Sequence, residues 1–286
     1  MPSLIDIRRR IRSVKNTQQI TKAMKMVSAA KLRRAQDRVI SSRPYGKLLR
    51  EVLGNVAAAA AADERTSGHP LLAQRPEQRI LLVLITGDKG LAGAFNSNLI
   101  KGAQAFMADR PGVAVQLELI GRKGRDFFRK RNAAILGEHV GLAAKVVFSD
   151  TAAIARKAME LYQNDEIDAV WLLYNEFKSV VAQKMTLSRL LPIQLPAQAS
   201  TVDYIFEQPP AEMLAALLPR YIEMEFYRAL VESAAAEHAA RMTAMEAATS
   251  NAGDMIEKLT LYMNRVRQAS ITKEIIEVVS GAAAAE

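Results

Sequence analysis

The sequence predicts an α/β fold with long helices added: an antiparallel two-helix coiled coil, built from the N- and C-terminal segments, with an α/β domain inserted between them. Three observations carry this. Both ends have apolar residues stepping by three and four, the middle alternates short apolar strands with helices, and the two ends carry opposite charge. Residues 1–53 have 14 Lys/Arg against 3 Asp/Glu, whereas residues 211–286 have 7 against 11. Two seamed helices of opposite sign favour each other as partners, so the second is expected to return along the first.

The N-terminal helix is expected over residues 1–62. Leu4, Ile7, Ile11 and Val14 set its seam, which the pattern then shifts to Ile20, Met24 and Val27 before Leu32, Ala35 and Val39. A phase slip of this kind would change the local winding of the pair. Pro44 is the one proline of the stretch, and six alanines, Ala57–Ala62, lead to a polar stop and a linker over 63–78.

The C-terminal helix is expected within 201–286. From Leu217 through Tyr221, Met224, Arg228, Val231, Ala235, His238, Met242, Met245, Thr249, Ala252, Ile256, Leu259 and Met263 to Val266 the spacing is strictly heptad. Pro219 should start or kink this helix. Between Arg220 and Ser280 it would run about 90 Å at 1.5 Å per residue, longer than any core of this size requires. Its end, Ile271, Ile275, Val278, Val279 and Ala282, is an apolar stripe too wide for a surface helix.

Residues 79–200 read as the inserted domain. Arg79–Thr86 is a fully apolar strand, followed by a glycine turn and a helix near Phe95–Asp109. Val113–Gly121 is a second strand, a helix near Thr151–Gln163 follows, Asp168–Phe177 is a third strand, and a last one closes near Pro192. Alternation of this kind predicts a mostly parallel, Rossmann-like sheet.

Composition narrows the function classes. Half of the residues are apolar and 24% are charged, as in folded globular chains. No run of about 18 uncharged apolar residues exists, so no membrane span and no direct bilayer insertion are expected. The absence of cysteine removes disulfides and thiolate metal sites. His69, His139 and His238 are scattered, without the convergence that a metal site or a hydrolytic triad needs, so no metal and no catalytic residue are expected.

Gly87–Gly93 follows a strand and opens a helix, which raises a dinucleotide reading. Its spacing is G-x-x-G-x-x-G rather than G-x-G-x-x-G, and a ribose-binding carboxylate about 20 residues later lacks a clear candidate. A structural turn is the better reading, and no cofactor is expected. The basic stretches Arg8–Arg12 and Lys31–Arg38 could follow a phosphate backbone, but no aromatic residue precedes Tyr45 for base stacking. A solvated helix face and a basic helix moving past acidic partners remain the two other readings, and no nucleic-acid partner is expected. A nucleic-acid-binding coiled coil and an oxidoreductase built on the α/β domain are the rival functions.

Two segments are more specific. ITKAMKMVSAAKLRRAQ (Ile20–Gln36) and RQASITKEIIEVVSGA (Arg267–Ala282) resemble the signature segments of the gamma chains of F-type ATP synthases. SVKNTQ (Ser13–Gln18), SRPYG (Ser42–Gly46), GDKGLAGAFN (Gly87–Asn96) and ESAAAEHAARMTAMEAATSNA (Glu232–Ala252) extend the resemblance along the whole chain in order.

The resemblance implies a non-catalytic central rotor coupling proton flow through a membrane c-ring to ATP synthesis or hydrolysis. Its implied partners are three alpha and three beta subunits, the epsilon subunit and the c-ring. Met24 matches the methionine that faces the acidic lever segment of beta, and Lys25 a position held by lysine or glutamate. Arg267, Gln268, Thr272, Glu274 and Glu277 match polar residues that meet the ring or the opposing helix. Ala92 stands where many relatives have cysteine, and the chloroplast regulatory insertion is missing, so thiol control is not expected. The absence of a transit peptide implies a bacterial chain, peripheral on the cytoplasmic face of the plasma membrane.

Overall fold

The computed structural model describes residues 3–60, 69–194 and 206–283. In chain order its elements are α1 (Leu4–Ala59), β1 (Arg79–Ile85), α2 (Phe95–Ala108), β2 (Ala114–Ile120), α3 (Arg122–Arg129), β3 (Ile135–His139), α4 (Phe148–Gln163), β4 (Ala169–Phe177), β5 (Gln183–Leu191) and α5 (Pro210–Ala283). The chain forms two compact units: Met1–Ser28 with Met242–Glu286, and Ala29–Arg241.

The first unit is a pair of helices. The Thr21 and Thr249 hydroxyls share a hydrogen bond of 2.7 Å, and Lys25 reaches Glu246 at 2.5 Å. As numbers rise along α1 they fall along α5, so the two run antiparallel. The seam differs from the expected one. Ile20 is 59% exposed and Val27 56%, whereas Gln18, Thr21 and Ser28 face inward with Leu4, Ile7, Ile11 and Val14. The helix keeps one unbroken three-four phase and accepts polar side chains in it. The short hydroxyls bond each other and backbone carbonyls, which removes most of the penalty for burying them. Gly253 and Ala252 bring the helices close: a Cβ on Gly253 would lie 3.2 Å from Gln18 Nε2.

The second unit is built on a five-stranded sheet of order β3-β2-β1-β4-β5, parallel except for β5, which pairs antiparallel with β4. Every residue of β1 after Arg79 is buried, as its unbroken apolar run requires of a strand covered on both faces. α4 covers one face, setting Ile154, Ala158 and Leu161 against Leu81, Val83 and Glu118. On the other face Gly124 of α3 lies against Leu84, and Gly102 of α2 approaches Leu173 and Met185.

Three features depart from the expected elements. β3 and α3 lie where no element was expected. α5 begins ten residues before Arg220, at Pro210, and continues through Pro219. Pro44 sits inside α1. The linker's residues 63–68 and the proposed start of the C-terminal segment, 201–205, fall outside the described residues.

Candidate functional site

A doubly wound sheet takes its ligand at the carboxyl ends of its strands, in the crevice where the strand order reverses. Here that reversal lies between β1 and β4. The end of β1 and the glycine turn after it are covered by α5. Ser233 Oγ donates to the Ile85 carbonyl at 3.5 Å, and Arg241 donates to the carbonyls of Gly90 (3.3 Å) and Lys89 (3.5 Å). Glu237, ion-paired to Arg241, packs on Gly87, where an added Cβ would meet its carboxyl carbon at 2.8 Å.

The N-terminus of α3, the natural seat for a phosphate in such a fold, is taken as well. Asp88 accepts from the Arg122 amide and from the Gly141 amide, both at 3.0 Å. Thr86 ties the same turn together, donating to the Ile120 carbonyl at 3.0 Å and accepting from the Gly124 amide at 2.9 Å. The glycines therefore make room for a helix and for tight turns, and the fold's usual ligand crevice is packed with the protein's own side chains.

Oppositely charged faces meet within the second unit. Glu225 of α5 accepts from Arg50 of α1 at 2.8 Å and from Arg228 at 2.6 Å, and Arg43 lies 3.7 Å from buried Glu232. Arg156 of α4 reaches Glu223 at 2.6 Å. None of these long-range pairs has a signal in the local sequence beyond the overall charge asymmetry.

His238, also on α5, is held neutral. Burial first, then the charges of Arg241 and Lys31, push its pKa down to about 4. The unfolded chain protonates it near 6.5 while the folded chain does not, so stability is lost as pH falls from about 6.5 to about 4. With partial access to water allowed for, the loss is about 2 kcal/mol. In a buffer without multivalent oxyanions, thermal denaturation of His238→Gln should show a shallower decline than the parent over that window. Equal declines would place His238 outside the acid response.

The residues singled out in the sequence fall on the first unit and divide into two groups. Met24 is half-buried on α1, and Ile20 and Val27, one turn either side, point outward, so the signature segment carries an exposed apolar stripe. Lys25 pairs with Glu246 across the helix pair, both partly exposed. The second group lies near the end of α5. Arg267, Gln268, Thr272, Glu274 and Glu277 are all exposed, and their contacts run along their own helix: Thr272 to the Gln268 carbonyl at 2.9 Å, Glu274 with Ser270, Glu277 with Lys273.

The register explains this exposure. Thr21 faces Thr249 and Lys25 faces Glu246, so Leu4, where α1 begins, faces α5 at about residue 266. Beyond that point α5 continues to Ala283, about 24 Å of helix at 1.5 Å per residue, without α1 beside it. Ile271, Ile275, Ile276, Val278 and Val279 are 48–72% exposed along it. A single helix bearing that much apolar surface is a partner surface.

The family model described as ATP synthase matches residues 3–285. An ATP synthase gamma chain of Solibacter usitatus is 77% identical over 286 residues, all of both chains, and one of Pelotomaculum thermopropionicum is 50% identical over 289 residues, again covering both completely. Among solved structures, a chain of the Tetrahymena thermophila mitochondrial ATP synthase central stalk and c-ring is 27% identical with a TM-score of 0.61, covering 80% of this chain and 99% of its own. A chain of the Euglena gracilis mitochondrial ATP synthase rotor shares the fold, with a TM-score of 0.64 at 18% identity over 94% of this chain and 98% of its own. Matched from residue 3 to residue 285, with its signature segments on the paired helices and on the uncovered end of α5, the chain belongs to the gamma-chain family of the ATP synthases.

Proposed function

We propose that this chain is the central rotor subunit of a bacterial F-type ATP synthase, coupling proton flow through the membrane c-ring to ATP synthesis or hydrolysis in a ring of three alpha and three beta subunits. The observation that carries the reading is the bare apolar end of α5, which calls for a surrounding protein sleeve. An apolar tip in an apolar sleeve makes few directional bonds, so turning it meets small barriers. The polar residues before and among the apolar ones, Arg267, Gln268, Thr272, Glu274 and Glu277, supply the directional contacts to the ring. The epsilon subunit and the c-ring complete the partner set, with attachment peripheral, at the cytoplasmic face of the plasma membrane. Among the described residues no helix is long and apolar enough to cross a membrane.

A partner shifts a conformational equilibrium only through contacts that differ between its states. Moving a catalytic subunit from 1:99 to 99:1 takes about 5.5 kcal/mol of such difference. The end of α5 offers unlike sides, Ile271, Ile275 and Val278 against Lys273, Glu274 and Glu277, so each surrounding subunit meets a different surface at a given angle.

Met24, in the outward stripe with Ile20 and Val27, is the proposed contact to the acidic lever of beta. Met24→Lys should lower coupling more than assembly: the complex forms and hydrolyses ATP, while ATP-driven proton pumping falls several-fold. Exposed ion pairs are worth only about 0–1 kcal/mol, so the effect requires a contact that excludes water. Unchanged pumping would remove Met24 from that interface. The reading as a whole is tested by purifying the tagged chain from cells expressing the alpha, beta and epsilon subunits with it. One copy per three alpha and three beta subunits is expected, and isolation of this chain alone, beside an alpha–beta assembly that lacks it, would overturn the proposal.

A further inference from the structure

A small cavity of about 170 Å³ lies in the second unit between α1, α5 and the segment 143–146. Ala143, Ala144 and Val146 form one side and Val231 and Ala234 of α5 another, with His238 among them. Lys31, Arg34 and Arg38, spaced by three and four along one face of α1, reach the cavity together. No carboxylate lines it. Among the described residues none of these three cations has a carboxylate within 4 Å, whereas Arg43 and Arg50 further along the same helix each face one on α5. Glu237, one residue before His238 on α5, is already ion-paired to Arg241.

His238 adds a donor. Arg241 Nη1 lies 3.4 Å from His238 Nδ1, and a guanidinium can only donate, so Nδ1 accepts and the proton of the neutral ring sits on Nε2. Lys31, Arg34 and Arg38 are exposed along their stems, and with one imidazole N–H, apolar walls and no carboxylate in the lining they make a positive recess that favours an anion. The volume suits one small tetrahedral ion and is too small for a nucleotide.

We propose that this cavity is a binding site for a small oxyanion of the phosphate type, held by Lys31, Arg34 and Arg38 and by the Nε2–H of His238. The ion would tie α1 to α5, adding its binding free energy to the stability of the second unit by mass action.

The test uses the full-length chain titrated with inorganic phosphate, with chloride at matched ionic strength as reference. The groups facing His238 are Lys31, Arg34 and Arg38 from α1 and Arg241, with Glu237, from α5, so an added anion should favour the charged ring. The imidazole resonances of His238 should show its pKa raised by a unit or more in phosphate relative to chloride. Isothermal titration should show saturable binding, weakened at least tenfold in the double variant Arg34→Gln, Arg38→Gln. Lys184→Gln, an exposed charge removed elsewhere, should bind as the parent does. An unmoved His238 pKa, or equal weakening by Lys184→Gln and the double variant, would overturn the site and reduce the effect to general charge attraction.

Discussion

Replacing Ile271, Ile275, Val278 and Val279 together by serine is expected to leave the second unit folded and to abolish stable assembly. These side chains touch nothing that holds the isolated chain together, being 48%, 58%, 72% and 61% exposed. Full burial in a partner sleeve is worth about 1.5–3 kcal/mol for a side chain that starts fully exposed, so, scaled by their exposed fractions, the four contribute roughly 4–7 kcal/mol between them. At 1.4 kcal/mol per tenfold, the loss is about three orders of magnitude or more in affinity. The isolated variant should also aggregate less than the parent. Recovery of the alpha–beta complex with the variant, against the parent, reads the effect. Normal assembly would mean that this stripe is not the surface the ring grips.

Gly121→Ala is expected to be the most damaging single methyl group that the second unit can receive. Gly121 joins β2 to α3 with φ at +95°, a conformation that side chains rarely adopt. A Cβ there would also lie 2.1 Å from the Thr86 carbonyl oxygen, a backbone atom fixed in the turn that α5 covers. Strain at such a φ costs about 1–3 kcal/mol, and overpacking adds about 1–3 more. The sum is a large share of the roughly 5–15 kcal/mol that holds an ordinary domain. Soluble yield should collapse, and any folded fraction should melt well below the parent. A variant within a few degrees of the parent would show that the turn can shift away from Thr86.

Much of this architecture was legible in the residues, for physical reasons that also account for what was missed. β1 and the first half of β4 announce themselves as apolar runs because they are covered by helices on both faces. The heptads of α5 from Met242 to Val266 hold because one partner helix faces that stretch. β3 was hidden: Ile135–His139 is a five-residue edge strand, half-buried throughout, with Gly137 where Glu118 needs room and polar residues beyond it. α3 was hidden because Arg122–Arg129 is short, mostly charged and contains a glycine.

The seam of α1 was misread for a related reason. Ranking residues by hydrophobicity followed Ile20 and Val27, yet these face outward, and the pair is closed by Gln18, Thr21 and Ser28. Apolar residues on the outside of a two-helix unit announce a further layer supplied by another chain. The same holds for Ile271 to Val279, whose width as a stripe was plain from the sequence. Long-range contacts such as Arg241 on the Gly90 carbonyl, or Lys25 with Glu246, leave no local trace and needed the fold.

Rotation of this chain inside the complex is the most direct test of the rotor reading. The sequence contains no cysteine, so one introduced at exposed Lys184 would give a unique attachment point for a visible probe. With the alpha–beta ring fixed to a surface and ATP supplied, the account predicts that the probe turns continuously in one direction while hydrolysis proceeds. A probe that stays still on complexes that hydrolyse ATP at the normal rate would contradict it.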